Sequence, residues 1–246
     1  MRRVTTVMLA TVALAGLAAA GLFAAGCGSE SSSVPSDAVA TIGDVSVSQA
    51  DFEQLMKQAE TQMEASGMSV PEKGSPTYDH YVAQIVQYMV QEQVVAQSAQ
   101  DLGVTVTDKD VADQVTQLEE AYGGEKKVLA LLKEQGMTME LLKRSIKGQT
   151  LSQRAIEVVT KGAAVNDADI EAYWEAHKSE LIKDKKTKTL AKARQTIEQT
   201  LLSAKQQQLW NAWLDKRVDE IGVAYAAGYD PDELTASSSA SPAAGG

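Results

Sequence analysis

The residue whose surroundings most plainly prescribe a reaction is Cys27, the only cysteine in the chain. Ala24, Ala25 and Gly26 precede it, and a serine-rich stretch follows. Upstream stand Arg2 and Arg3, then an uncharged run from Val4 to Gly26. A positive start, an apolar run, small residues and then a cysteine make the layout of a bacterial lipoprotein signal. In such a signal the thiol receives a diacylglycerol, and cleavage before it frees an amine that can be acylated in turn. Ala24 stands where leucine is usual. The same run is long enough to span a bilayer uncleaved, and a lone cysteine can also be simple core. The first two readings place residues 28 onward outside the cytoplasmic membrane. With one cysteine there is no intramolecular disulfide.

Other chemistry is sparse. His80 and His177 are the two histidines, far apart and without neighbours at metal-ligand spacing. The sequence carries no G-x-S-x-G, no phosphate loop and no G-x-G-x-x-G. Glu119-Glu120 reads as a solvated helix face rather than an acid/base pair. No metal, catalytic residue or cofactor is therefore expected. The net charge is -10, which together with the lack of a basic patch argues against nucleic acid as a partner. Met56, Met63, Met68, Met89, Met137 and Met139 gather in the first two thirds of the chain. Methionine is flexible and polarizable and suits surfaces that accept many partners, although it is equally a core residue. Met68, beside Gly67 in a loop, and Met137 and Met139, around a helix start, are the surface candidates. Trp210 and Trp213 read as core.

The elements that must position these residues are mostly helices. Leu190, Ala193, Ile197, Leu201 and Ala204 recur at spacings of three and four, and the stripe continues through Leu209, Trp210, Trp213, Leu214 and Ile221. Gly222 stops that long helix, and Val223 to Tyr225 favour extension. Such a helix needs partners from earlier in the chain. At the other end, two β-prone runs flank Gly43-Asp44 within Ala38–Val47, the pattern of a tight hairpin. Ser48 then caps a helix ending near Ser66, with Phe52, Leu55, Met56, Ala59 and Met63 on its apolar face. A second helix, from about Tyr78 to Leu102, puts Tyr81, Ile85, Tyr88 and Val95 on one face and should be central and buried. Thr107, Thr138 and Asn166 start three more helices, with a short one from Glu125 to Gln135 between the first two. A third strand at Val223 to Tyr225 should pair with the hairpin, and the long helix should pack on the Ser48–Ser66 helix.

Three stretches, AVATIGDVSVSQADF, MVQEQVVAQSAQDLGVTVTDKDV and TIEQTLLSAKQQQLWNAWLDKRVDEIGVAY, together resemble the SurA/PrsA family of extracytoplasmic folding factors. Where the family usually has Val-Asn-Gly, this chain has Ile42-Gly43-Asp44. VNDADIEAYWEAHKSEL is similar to the family's last helix before its catalytic insert. Full-length members carry a parvulin-type prolyl isomerase domain at that point. Here the gap is only Ile182 to Lys188, too short for any domain, and no stretch resembles the parvulin core.

The resemblance implies a mainly α chaperone lobe with a small antiparallel sheet, formed by the N-terminal hairpin and a C-terminal return strand. The expected organisation is a lipoprotein signal over residues 1–27, a flexible tether over 28–37, a SurA N-terminal-like chaperone domain over 38–229 and a disordered tail over 230–246. The implied function is ATP-independent holding of unfolded or newly secreted polypeptides at the outer face of the bacterial cytoplasmic membrane, without isomerase chemistry. The membrane itself is a partner through the lipid on Cys27, and Met68, Met137 and Met139 are the candidate client contacts. Residual prolyl isomerase activity is one alternative. A structural or transport-linked helical lipoprotein is another. A transport-type binding protein should alternate strand and helix units, which the pattern lacks.

Overall fold

A computed structural model describes residues 34–184 and 186–239. The order is β1 (Ala38–Ile42), β2 (Val45–Ser48), α1 (Gln49–Ala65), α2 (Pro76–Ser98), α3 (Asp108–Tyr122), α4 (Glu125–Glu134), α5 (Met139–Val159), α6 (Asp167–Leu181), α7 (Leu190–Ile221), β3 (Val223–Tyr225) and α8 (Pro231–Ser239). The fold is mainly helical, as its periodicity predicts. Its helix starts are built by local chemistry. The Ser48, Ser75, Thr107, Thr138, Asn166 and Thr189 side chains each accept a hydrogen bond from a backbone N–H in the first turn that follows. Thr107 with Asp110, and Asn166 with Asp169, form complete capping boxes. Each satisfies donors that the helix cannot pair internally.

The sheet joins both ends of the described chain. Its strand order is β2-β1-β3, antiparallel throughout, with Ile42 opposite Val45 on one side and Val223 on the other. The β1–β2 turn is two residues, and Gly43 takes φ +55° there, a conformation a side chain would resist. Its N–H donates to the Gly222 carbonyl at 2.8 Å, fastening the hairpin to the end of α7. The third strand therefore pairs with the hairpin, as expected of an extended Val223–Tyr225 segment beside a hairpin that is marginal alone.

The central element is α2. Val82, Ala83, Ile85, Val86, Val90, Val94 and Val95 are buried along it. The principal core joins Val39, Ala40, Ile42 and Val47 of the sheet, Phe52 and Met56 of α1, and Val82 to Val94 of α2. Around α2 pack α1, α5, α7 and α8. A second cluster sets Trp210 of α7 between Val95 and Ala155, with Trp213 stacked on it at 5.0 Å. Arg217 of α7 donates through Nε to the buried Ser98 hydroxyl at 2.9 Å and reaches Asp101 at 3.2 Å. α6 pairs with the first half of α7 around Ile170, Ala193 and Ile197.

Two expectations are corrected. The long helix α7 packs on α6, α2 and α5 rather than on α1, which instead lies on α2 and the hairpin. An apolar stripe says that a helix needs a partner, not which one. The tail from Asp230 does not remain unstructured over its described length, since residues 231–239 form α8 against α2. Pro231 is buried and Leu234 joins the principal core. Two well-placed apolar contacts outweigh the serine-rich composition that suggested disorder. Residues 240–246, with Cys27 and most of the expected tether, lie outside the described residues.

Candidate functional site

α2 lies between α1 and α5, which touch it from different sides without forming a helix–helix packing of their own. The wedge left open is a groove of about 340 Å³. Its floor is one face of α2, where Tyr88, Met89, Glu92, Gln93 and Ala96 recur at helical spacing. One wall is Asp51, Gln54, Leu55 and Gln58 of α1. The other is Met137 with Leu141, Arg144 and Ser145 of α5. Ser46, Val47 and Ser48 of the edge strand β2 close one end. An ion pair between Arg144 and Asp51, 3.1 Å apart, spans the walls.

The lining mixes apolar and polar groups in a telling way. Leu55, Tyr88, Met89, Met137 and Leu141 supply adaptable apolar surface, and Tyr88 is 41% exposed. Among the described residues, the amides of Gln54, Gln58 and Gln93 make no hydrogen bond. An amide both donates and accepts, so three free ones can answer the N–H and C=O groups of an added polypeptide whatever its side chains. Burial raises the Glu92 carboxyl above its usual range; Arg144 counters part of that rise and Asp51 adds to it. Burial likewise pushes the Tyr88 phenol up, with Glu92 contributing. The Ser48 hydroxyl donates to the Asp51 carboxylate at 2.8 Å as part of the α1 cap, and the lining as a whole suits binding.

The three methionines singled out from the sequence do not converge. Met68 is 55% exposed in the loop after α1 and does not line the groove. Met137 lines it. Met139 is half-buried and packs against Val111, Val115 and Ile146. Met89, named among the six, is a floor residue. Tyr88 departs from its expected place on the buried stripe and faces the groove. The sequence shows that α2 is apolar nearly all round, which conceals which of its faces stays open. His80 and His177 are both exposed. His80 meets Gln84 at 3.0 Å, and His177 stacks on Tyr173 at 4.1 Å. Among the described residues no three His, Cys, Asp or Glu side chains gather as metal ligands would, and no helix is long and apolar enough to cross a membrane.

Comparison with known proteins gives this architecture a kinship. The model of the SurA-like N-terminal domain family matches residues 1–156, more than half of the chain. The chain is 23% identical over 158 residues to the foldase protein PrsA of Caldanaerobacter subterraneus subsp. tengcongensis, covering 62% of this chain and 46% of that protein. It is 29% identical over 133 residues to the foldase protein PrsA of Clostridium botulinum strain Loch Maree, covering 52% of this chain and 39% of the other. The chain thus spans less than half the length of the curated relatives it matches.

Proposed function

Given that this chain belongs to the SurA-like N-terminal domain family, whose relatives here are foldases, we propose that it is a lipid-anchored, ATP-independent chaperone. It holds unfolded secreted polypeptides in the groove between α1, α2 and α5. The observation that carries this reading is the groove's lining: three unpaired glutamine amides beside Tyr88, Met89, Leu55, Met137 and Leu141. Apolar contact is non-directional, and at ~25 cal/mol per Å² a short buried segment is held weakly enough to exchange. Release then needs no nucleotide. The Ala-Ala-Gly-Cys sequence ending at Cys27 supports the anchor, and on this reading the chaperone works at the outer face of the cytoplasmic membrane. On this reading residues 1–27 are the signal, 28–37 the tether and 38–229 the chaperone domain, with α8 appended to it.

The test pairs two assays on the purified protein: light scattering of a denatured client, and cis/trans relaxation of a proline peptide. Aggregation should be suppressed without ATP. Tyr88→Ser with Met89→Ser should weaken that suppression while circular dichroism stays helical. Holding that is unaffected by both changes would overturn the groove reading. The foldase names of the relatives favour a second reading, prolyl isomerisation. Uncatalysed X-Pro exchange takes tens to hundreds of seconds, so catalysis by this chain would be plain in the relaxation assay. Lipid labelling that survives Cys27→Ala would remove the anchor from the account.

A further inference from the structure

Glu92 is the charged group in the groove that the fold leaves unanswered. It stands mid-floor on α2, one turn from Tyr88 and one turn from Ala96. Its carboxylate lies so close over Gly148 of α5 that a β-carbon there would come within 2.3 Å of Oε1. Among the described residues it makes no hydrogen bond and no ion pair. Arg144, the one cation in the lining, is held by Asp51 instead. The lining thus sets two carboxylates against one guanidinium, in a chain of net charge -10.

A carboxylate drawn partly out of water without a partner is unfavourable. Inside the folded chain Arg144 relieves it only in part, because that guanidinium already bridges the walls. A cation brought in by a ligand would relieve the rest. The surroundings suit a long cationic side chain: Met89 and Leu55 can take its methylene stem, and the exposed Tyr88 ring can stack on its head group. The glutamine amides beside them fit the backbone on either side of such a residue.

Resting on the groove reading above, we propose that the groove selects apolar segments that carry a lysine or arginine, and that Glu92 receives the cation. Charge complementarity sets the occupant. Segments carrying acid should be disfavoured by Glu92 and by the acidic chain as a whole, and neutral apolar segments should bind through the floor alone.

The experiment measures fluorescence anisotropy with three labelled peptides of one apolar sequence, whose central residue is lysine, norleucine or glutamate. Norleucine keeps the stem and removes the charge. The lysine peptide should bind about tenfold more tightly than the norleucine peptide, the scale of one charge-assisted hydrogen bond. Glu92→Gln should bring that ratio near one, with circular dichroism and the urea midpoint showing that the variant is folded. Glu92→Lys should shift the preference to the glutamate peptide. A ratio near one in the parent protein, or one that survives Glu92→Gln, would overturn the proposal and leave the groove standing. If no peptide binds, both fall.

Discussion

Helix α8 offers the sharpest test of the fold, because composition alone argues that it should not exist. Pro231 is buried and Leu234 packs on the principal core beside Tyr229, whose ring meets Phe52 edge-on at 5.1 Å. Complete Leu→Ala truncation in a core costs about 2–5 kcal/mol. Leu234 is half-buried, so Leu234→Ala should cost about 1–2 kcal/mol by the same scaling. Ending the chain after Asp230 removes Pro231 and the helix as well and should cost about 2–4 kcal/mol, near the sum of two such contacts. Urea titration followed by tryptophan fluorescence reads both, with Trp210 and Trp213 reporting from the α2–α5–α7 cluster. The slope m should fall slightly in the truncated chain, because less surface is exposed on unfolding. A truncation after Asp230 with an unchanged midpoint would refute the docking of α8. So would a Leu234→Ala loss as large as that of a fully buried leucine, since it would mean the partial exposure is wrong.

Acid should loosen α3 and α6 at their N-termini. Arg154 and the Thr107 backbone hold the Asp110 carboxyl below its usual range, and Lys205 and Asn166 do the same for Asp169. A depressed folded pKa gives stability that is present above the unfolded value of about 4 and is lost as pH falls through the folded one. The protection of the Asp110 and Asp169 amides against hydrogen exchange, relative to their intrinsic rates, should therefore fall below about pH 4, before that of the α2 core. Glu92 has the opposite sign. With burial and Asp51 raising its pKa against Arg144, its protonated form is the one the fold favours. Its contribution is greatest below the unfolded value and declines as pH rises toward the folded one. Glu92→Gln should consequently raise Tm at neutral pH and change it little in acid, and a lowered neutral Tm would contradict the unpaired carboxylate. The methionines should separate by burial: Met68→Ser should leave stability within about 0.5 kcal/mol. Met139→Ser should cost about 1–2 kcal/mol through its contact with Val111 and Ile146. Met137→Ser should weaken client holding more than it weakens the fold.

Local chemistry made much of this architecture legible. Ser48, Thr107, Thr138 and Asn166 announce helix starts because each side chain bonds its own first turn, and Gly222 announces the end of α7 for a similarly local reason. The pairing of Val223–Tyr225 with the hairpin could be reasoned from residues that favour extension and from the marginal stability of a lone hairpin. Tertiary facts were not visible in the same way. The choice of α2 and α5 over α1 as partners of α7 depends on which grooves fit, not on the stripe itself. α8 is hidden because its serines and alanines say nothing, while Pro231 and Leu234 matter only once α2 is beside them. The groove is a space between three helices, so the open face of α2 with Tyr88 and Glu92 had no signature along the chain.

The central claim is that unfolded clients sit in the wedge over α2. A photo-crosslinking amino acid placed singly at Met89, Leu141 or Ile182, followed by illumination with a denatured client, tests it most directly. Met89 and Leu141 line the groove, whereas Ile182 is 49% exposed beyond the end of α6 and is not part of the lining. The account predicts client adducts at Met89 and Leu141 and few at Ile182. Adducts at Ile182 equal to or exceeding those at the groove positions, in a protein that still suppresses aggregation, would contradict it.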